Sequence, residues 1–295
     1  MKYALLILSL ALAPMFTTAQ SSWKKKKQKI SHAQGTLFGY WGYNRSAYTK
    51  SNIRFAGPGY DFTMGGAVAH DNPSPLSSGY YWDINNISVP QFNAHVGYYF
   101  RHHWAISFGY DHMKYIFQDA NEVTLSGEID PGVDNTTNWS GVYNGYPIVT
   151  DRNTFHYENS DGLNYLRFEL MRTDMLIALG SKDQFAVSSN VGVATGTILS
   201  FNDFDFAGTK SMRTISMSGY GISAHASLRF EFFRHVFIQT QFSGGFNHQL
   251  KVRTRRNDPS SFAKHAYGYG MFDTSIGFLL YIRPTNSCDS CPVWD

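Results

Sequence analysis

The segment QFNAHVGYYFR, residues 91–101, sets Phe92, Ala94, Val96, Tyr98 and Phe100 on one side of an extended chain, with Gln91, Asn93, His95, Gly97, Tyr99 and Arg101 on the other. Successive side chains of a strand point to opposite faces, so this period of two marks a strand with one apolar and one polar side. After Arg101-His102-His103 the pattern resumes, with Trp104, Ile106, Phe108 and Tyr110 against Ala105, Ser107, Gly109 and Asp111. The two runs read as a tight hairpin. An apolar outside and a polar inside, sustained over such lengths, is what a strand needs when lipid lies on one side of it and a closed interior on the other.

The same plan recurs twice further along the chain. Residues 163–179 and 185–201 flank a turn at 180–183, and Leu166, Phe168 and Leu170 oppose Tyr165, Arg167 and Glu169. Parity blurs beyond Arg172, which predicts a bulge there. Residues 215–233 and 236–252 form the third hairpin, in which Ile222, Ala224, Ala226, Leu228 and Phe230 oppose Ser223, His225, Ser227, Arg229 and Glu231. Gly35 to Tyr48 and Ala266 to Ile282 bring the count to eight antiparallel strands. The strand-like patch Ile53 to Val68 raises it to ten if both its arms enter the wall. Three short turns then fall on the periplasmic side, and long loops at 49–90, 118–161, 202–211 and 253–264 fall outside.

The ends and the composition agree with this fold class. Lys2, the apolar run Tyr3 to Ala13, and the small residues up to Ala19 read as a signal peptide over 1–19. That run is too short to span a bilayer, which takes about 20 apolar residues as a helix. Residues 20–34, with Lys24 to Lys27 and Lys29, read as a basic periplasmic leader, 35–283 as the barrel and 284–295 as a periplasmic tail. Aromatic residues make up 16% and charged residues only 16%, against about a quarter charged in soluble domains. A net charge of +3 is too small to imply a nucleic-acid partner, and none is expected. Cys288-Asp-Ser-Cys291 follows the last strand and is a disulfide candidate in an oxidising compartment.

Taken together, the signal peptide, the alternating strands and the aromatic-rich last strand Phe272 to Ile282 resemble the small eight-stranded bacterial outer-membrane β-barrel proteins. These include the transmembrane domain of OmpA, the OmpX-like proteins and the lipid A deacylases. The resemblance covers about 250 residues and is architectural. It implies the outer membrane of a Gram-negative cell, contact with outer-membrane lipid or lipopolysaccharide, and an envelope protein as a further partner. The chain departs from the group in the extension Pro284 to Asp295 beyond the last strand.

Two sets of polar residues are candidates for function. His95, Arg167, Glu169, Arg229, Glu231 and Asp273 carry both signs of charge on the inward face and are expected to form a self-satisfied lumen network. An eight-stranded barrel is just wide enough for side chains to fill it, so a wide pore is disfavoured. Asp111, His112, His156 and Asp161 fall at strand ends and are expected at the outer rim, where a His and a carboxylate could act as an acid/base pair. A non-enzymatic structural or interaction protein is the first expectation, and a lipid A deacylase-like hydrolase using that rim set is the alternative. His225-Ala-Ser227 has the deacylase spacing but falls inward and mid-strand, so no hydrolase chemistry is assigned to it. No cofactor is expected, and His102-His103 lacks a carboxylate at fixed spacing, so no metal is expected either.

Overall fold

The structure, a computed structural model, describes residues 32–282 except 76, 78, 82, 84, 86–88 and 181–183. The signal peptide, the lysine block of the leader, the turn residues 181–183 and the Cys288–Cys291 tail lie outside the described residues. In chain order the strands are β1 (Thr36–Tyr48), β2 (Ser51–Gly57), β3 (Tyr60–Ala67), β4 (Ala69–His70), β5 (Phe92–Arg101), β6 (Trp104–Phe117) and β7 (Glu122–Ile129). There follow β8 (Gly141–Val149), β9 (His156–Leu179), β10 (Phe185–Phe206), β11 (Thr209–Phe232), β12 (Val236–Arg253) and β13 (Phe262–Tyr281).

Eight of these strands close a barrel in the order β1-β5-β6-β9-β10-β11-β12-β13. Closure is made by β13 pairing back on β1 without a break from Thr36↔Tyr281 to Tyr48↔Tyr269. That continuous seam leaves no slot for two further strands in the wall. The ten-strand alternative is therefore corrected: β2 and β3 form a hairpin whose strand pairing with the ring, among the described residues, is that of Ala56 to Arg54 with Phe262 to Lys264.

Burial follows the parity of the sequence. Val96, Ile106, Phe168, Ile222, Phe242 and Ile276 are more than half exposed, whereas His95, Ser107, Glu169, Ser223, Gln241 and Ser275, each one residue away, are buried. A continuous apolar belt of this extent is far larger than the patches soluble monomers show. Only a closed barrel or a helix satisfies its backbone in hydrocarbon, and the ring of strands does so here. The protein is a transmembrane β-barrel of the outer-membrane type.

The bulge expected near Arg172 sits further along. Parity holds through Thr173, and the slip occurs where Val187 faces Ile177 but Ser188 faces Met175, leaving Leu176 as the extra residue.

Beyond the belt the wall continues into water, and the inside changes character. β10 and β11 run on to a two-residue turn at Ala207-Gly208, both left-handed (φ 56 and 67), with Phe206 opposite Thr209. Two left-handed residues match the twist of a tight hairpin, so residues 202–211, expected as a loop, belong to a two-stranded ribbon whose register shifts once, between Asn202 and Phe204. Within 118–161, also expected as a loop, β7 and β8 extend the sheet through β3. Phe55, Phe62, Met64, Leu125, Phe155, Tyr157, Phe204, Phe206 and Val252 are all buried together in this region. The reason is solvent: where lipid surrounds the wall the apolar side must face out, and where water surrounds it the apolar side must face in. Burying each such side chain contributes roughly 1.5–3 kcal/mol. The result is an extracellular β-cap with a solid core seated on a polar-filled barrel.

The cap sheet ends at β8, which is an open edge. Pro147, which lacks a backbone N–H, and the register break between Leu125 and Gly127 interrupt it. Both are devices that discourage strand addition.

Candidate functional site

At mid-barrel, β5, β6 and β9 bring four ionisable side chains into a ring. Arg167 Nε lies 2.8 Å from Asp111 Oδ2, and its Nη2 lies 3.0 Å from Glu169 Oε1. His95 spans the same two carboxylates from the other side, with Nε2 2.9 Å from Asp111 Oδ1 and Nδ1 3.2 Å from Glu169 Oε2. All four side chains are 0% exposed. Asn93 donates to Asp111 at 2.6 Å, Ser107 donates to Glu169 at 2.5 Å, and His225 Nδ1 stands 3.5 Å from Glu169 Oε1. Tyr40 stacks on the His95 ring with centroids 4.6 Å apart. Glycine makes this possible, since a Cβ on Gly109 would collide with that imidazole.

Below this ring lies a second layer. Arg229 is held between Phe38 (5.3 Å) and Phe237 (4.3 Å), donates to Gln239 at 3.1 Å and to the Tyr99 hydroxyl at 3.1 Å. Glu231 accepts from Ser188 at 2.9 Å. Phe38, Tyr40, Tyr99, Met171, Phe237 and Leu279 form the apolar floor at the periplasmic end. Of the six residues read as a lumen network, His95, Arg167 and Glu169 belong to the ring, while Arg229 and Glu231 lie in the layer beneath. Asp273 is buried beside the ring with neither carboxylate oxygen hydrogen-bonded.

The four residues expected at the rim are dispersed. Asp111 is a member of the lumen ring, which corrects its placement at the rim. His112 stacks on Phe92 at 5.4 Å and its Nδ1 lies 2.7 Å from Asn164 Oδ1. His156 sits higher, in the cap, with Nε2 2.7 Å from Glu158 Oε2. Burial works to raise the Glu158 carboxyl, but hydrogen bonds from His156 and Ser160 outweigh it and hold the group below the usual carboxylate range. Asp161 is exposed and takes Arg213 at 2.7 Å. Among the described residues no hydrogen bond or ion pair joins two of the four. Ser227 accepts from Asn190 at 2.9 Å and is buried with His225 inside the wall, away from any substrate in the membrane.

Two features escaped the sequence reading. One is a groove of about 680 Å³ on the cap, lined by Asn52, Thr63, Glu122, Thr124, Ser126 and Ile148 among others. The other is a buried histidine in the cap portion of β13, beyond the belt. His265 packs against Tyr115 (5.1 Å) and Tyr267 (4.8 Å) and bonds Gln249 and Ser51. Burial pushes its pKa down to about 3 from 6.5. An opened cap would bind a proton there below about 6.5 while the closed cap does not, so His265 makes cap stability fall as pH drops through that window to about 3. Protection factors of cap amides, corrected for the intrinsic pH dependence of exchange, are expected to fall between pH 6.5 and 4, by an opening energy on the order of 3 kcal/mol. His265→Gln is expected to flatten that response; an unchanged pH dependence in the variant contradicts the assignment.

No protein-family model matches the chain, and no curated protein matches it in sequence. Among solved structures it is similar to the outer membrane protein OprG from Pseudomonas aeruginosa, at 8% identity over 86% of this chain and 100% of that one, with a TM-score of 0.38. It is also similar to the outer membrane protein AlkL, at 9% identity over 90% of this chain and 100% of that one, TM-score 0.38. The N-terminal β-barrel domain of Pseudomonas aeruginosa OprF gives 9% identity over 84% and 98%, TM-score 0.31. Likeness at this level carries no functional inference for this chain.

Proposed function

We propose that the protein is a non-enzymatic outer-membrane barrel whose task is to hold the extracellular β-cap as a rigid interaction surface. The observation that supports this reading most is the continuity of β9 to β13 from the membrane wall into a cap with its own aromatic core. Loops that merely connect strands need no such core; a surface that must keep its shape does. The groove along β3, β7 and β8 is the concave part of that surface, and an envelope or surface component with hydrogen-bonding groups is the partner it fits. The interior supports the same reading, since the buried ion ring and the aromatic floor fill it with side chains.

Purified protein in a planar bilayer is expected to give no discrete openings; stable unitary steps would overturn the closed interior. Lipid A from cells with and without the protein is expected to have identical acyl composition. Loss of an acyl chain that depends on the protein would replace this reading with an enzymatic one.

A further inference from the structure

The apolar belt ends on one sector of the outer wall at a bulge. The register of β12 against β13 slips between Gln249 and Val252, so Leu250 and Lys251 together stand opposite Lys264. Gln249 and Val252 are buried, while Leu250, Lys251 and Lys264 are exposed. A bulge re-aims successive side chains, and this one turns Lys251 to the same outer face as Leu250 and Lys264. Phe262 lies beside them, with Lys251 Nζ 5.6 Å and Arg54 Cζ 6.0 Å from its ring.

The neighbouring guanidinium groups already have partners, Arg253, Arg255 and Arg256 in backbone carbonyls and Arg54 and Arg213 in carboxylates. Arg54, the Cα partner of Lys264, holds Asp61 at 2.7 and 2.5 Å, and Arg213 holds Asp161. Among the described residues, the ion pairs include Lys210 with Asp205 but neither Lys251 nor Lys264. Two ammonium groups facing each other across one rung of a sheet repel unless an anion lies between them. Just below, Phe246 is 43% and Phe242 62% exposed on the lipid side. Lysine stems lie along apolar surface and carry their charge to the head-group level.

We propose that Lys251 and Lys264 clamp a phosphate carried on the head group of an outer-leaflet amphiphile, whose acyl chains lie on Phe242, Phe246 and Leu250. This fixes one bound lipid at the β12–β13 sector. The clamp rests on reading the wall as an outer-membrane barrel with lipid as a partner. A free soluble phosphate shares the chemistry but has no use for the apolar wall beneath the lysines.

The full chain, refolded in mixed micelles containing a phosphorylated glycolipid and phosphatidylcholine, is examined by native mass spectrometry. Wild type is expected to retain the phosphorylated lipid in preference to phosphatidylcholine. Lys251→Gln with Lys264→Gln is expected to lower that retention about fivefold or more, while the double Arg variant keeps it. Lys210→Gln, an exposed cation elsewhere on the cap, is the control and leaves retention unchanged. Retention unaffected by the double Gln change, or equal retention of phosphatidylcholine, overturns the clamp. Displacement of the lipid by millimolar inorganic phosphate shows a site for the free anion and overturns the membrane source. The heat-modifiable migration of a folded barrel is followed in every variant; its loss in wild type tells against the barrel reading rather than the clamp.

Discussion

Arg167→Ala is expected to lower the stability of the folded barrel by about 3–5 kcal/mol, the cost of leaving a buried charge without its partner. The guanidinium stands between Asp111 and Glu169, each 0% exposed, and removing it leaves His95 as the remaining basic side chain that contacts both. Asp273, which has no hydrogen bond of its own, then adds a third carboxyl to the same space. Lysine cannot replace the planar fork that reaches both carboxylates at once, so Arg167→Lys is expected to recover only part of the loss. Removing the charges together, in Arg167→Met with Asp111→Asn and Glu169→Gln, is expected to be less harmful than Arg167→Ala alone, because no unpaired ion remains. Urea titration in lipid vesicles, read as the midpoint at constant slope, measures all three. A midpoint for Arg167→Ala within error of wild type contradicts the ring as a structural element.

Phe55→Ala is expected to act on the cap alone. Phe55 is fully buried, stacks on Phe204 at 5.3 Å, and meets Phe155 (5.2 Å), Tyr157 (5.4 Å) and Phe62 (5.5 Å). Truncating such a ring costs about 3–5 kcal/mol in lost transfer and cavity terms. None of these partners belongs to the lumen ring, and distant sites behave independently. Proteolysis of intact cells is expected to cut within residues 51–67 or 122–149 in the variant and not in wild type. The barrel fragment is expected to keep its heat-modifiable migration. Simultaneous loss of the barrel contradicts the division into two separately packed interiors.

The membrane part of this architecture is legible in the sequence because lipid imposes a rule that each strand obeys locally. Val96 beside His95, or Phe242 beside Gln241, states its face without reference to any distant residue. The cap obeys the opposite rule, and period two alone does not say which side is inward. Phe204 and Phe206 alternate with Asp203 and Asp205 as clearly as the belt does, yet they point into a core assembled from strands far apart in the chain. The same limit explains Asp111. Its parity with Ser107 and Gly109 assigns it to the interior, but the rim placement treats the strand as ending there, whereas β6 continues to Phe117. His112, His156 and Asp161 read as a cluster only under that shortened geometry. The full-length strands separate them and give each its own partner.

One set of strands has a polar inside where lipid surrounds it and an apolar inside beyond. Single-cysteine variants in a Cys288→Ser, Cys291→Ser background, labelled with a fluorophore in vesicles containing doxyl-labelled lipid, test this directly. Labels at Val96, Phe168 and Phe242 are expected to be quenched by the lipid, and labels at Ser107, Ser243, Thr124 and Ser211 are expected not to be. Equal quenching at both parities within the belt, or lipid quenching that extends to Thr124 and Ser211 in the cap, contradicts it.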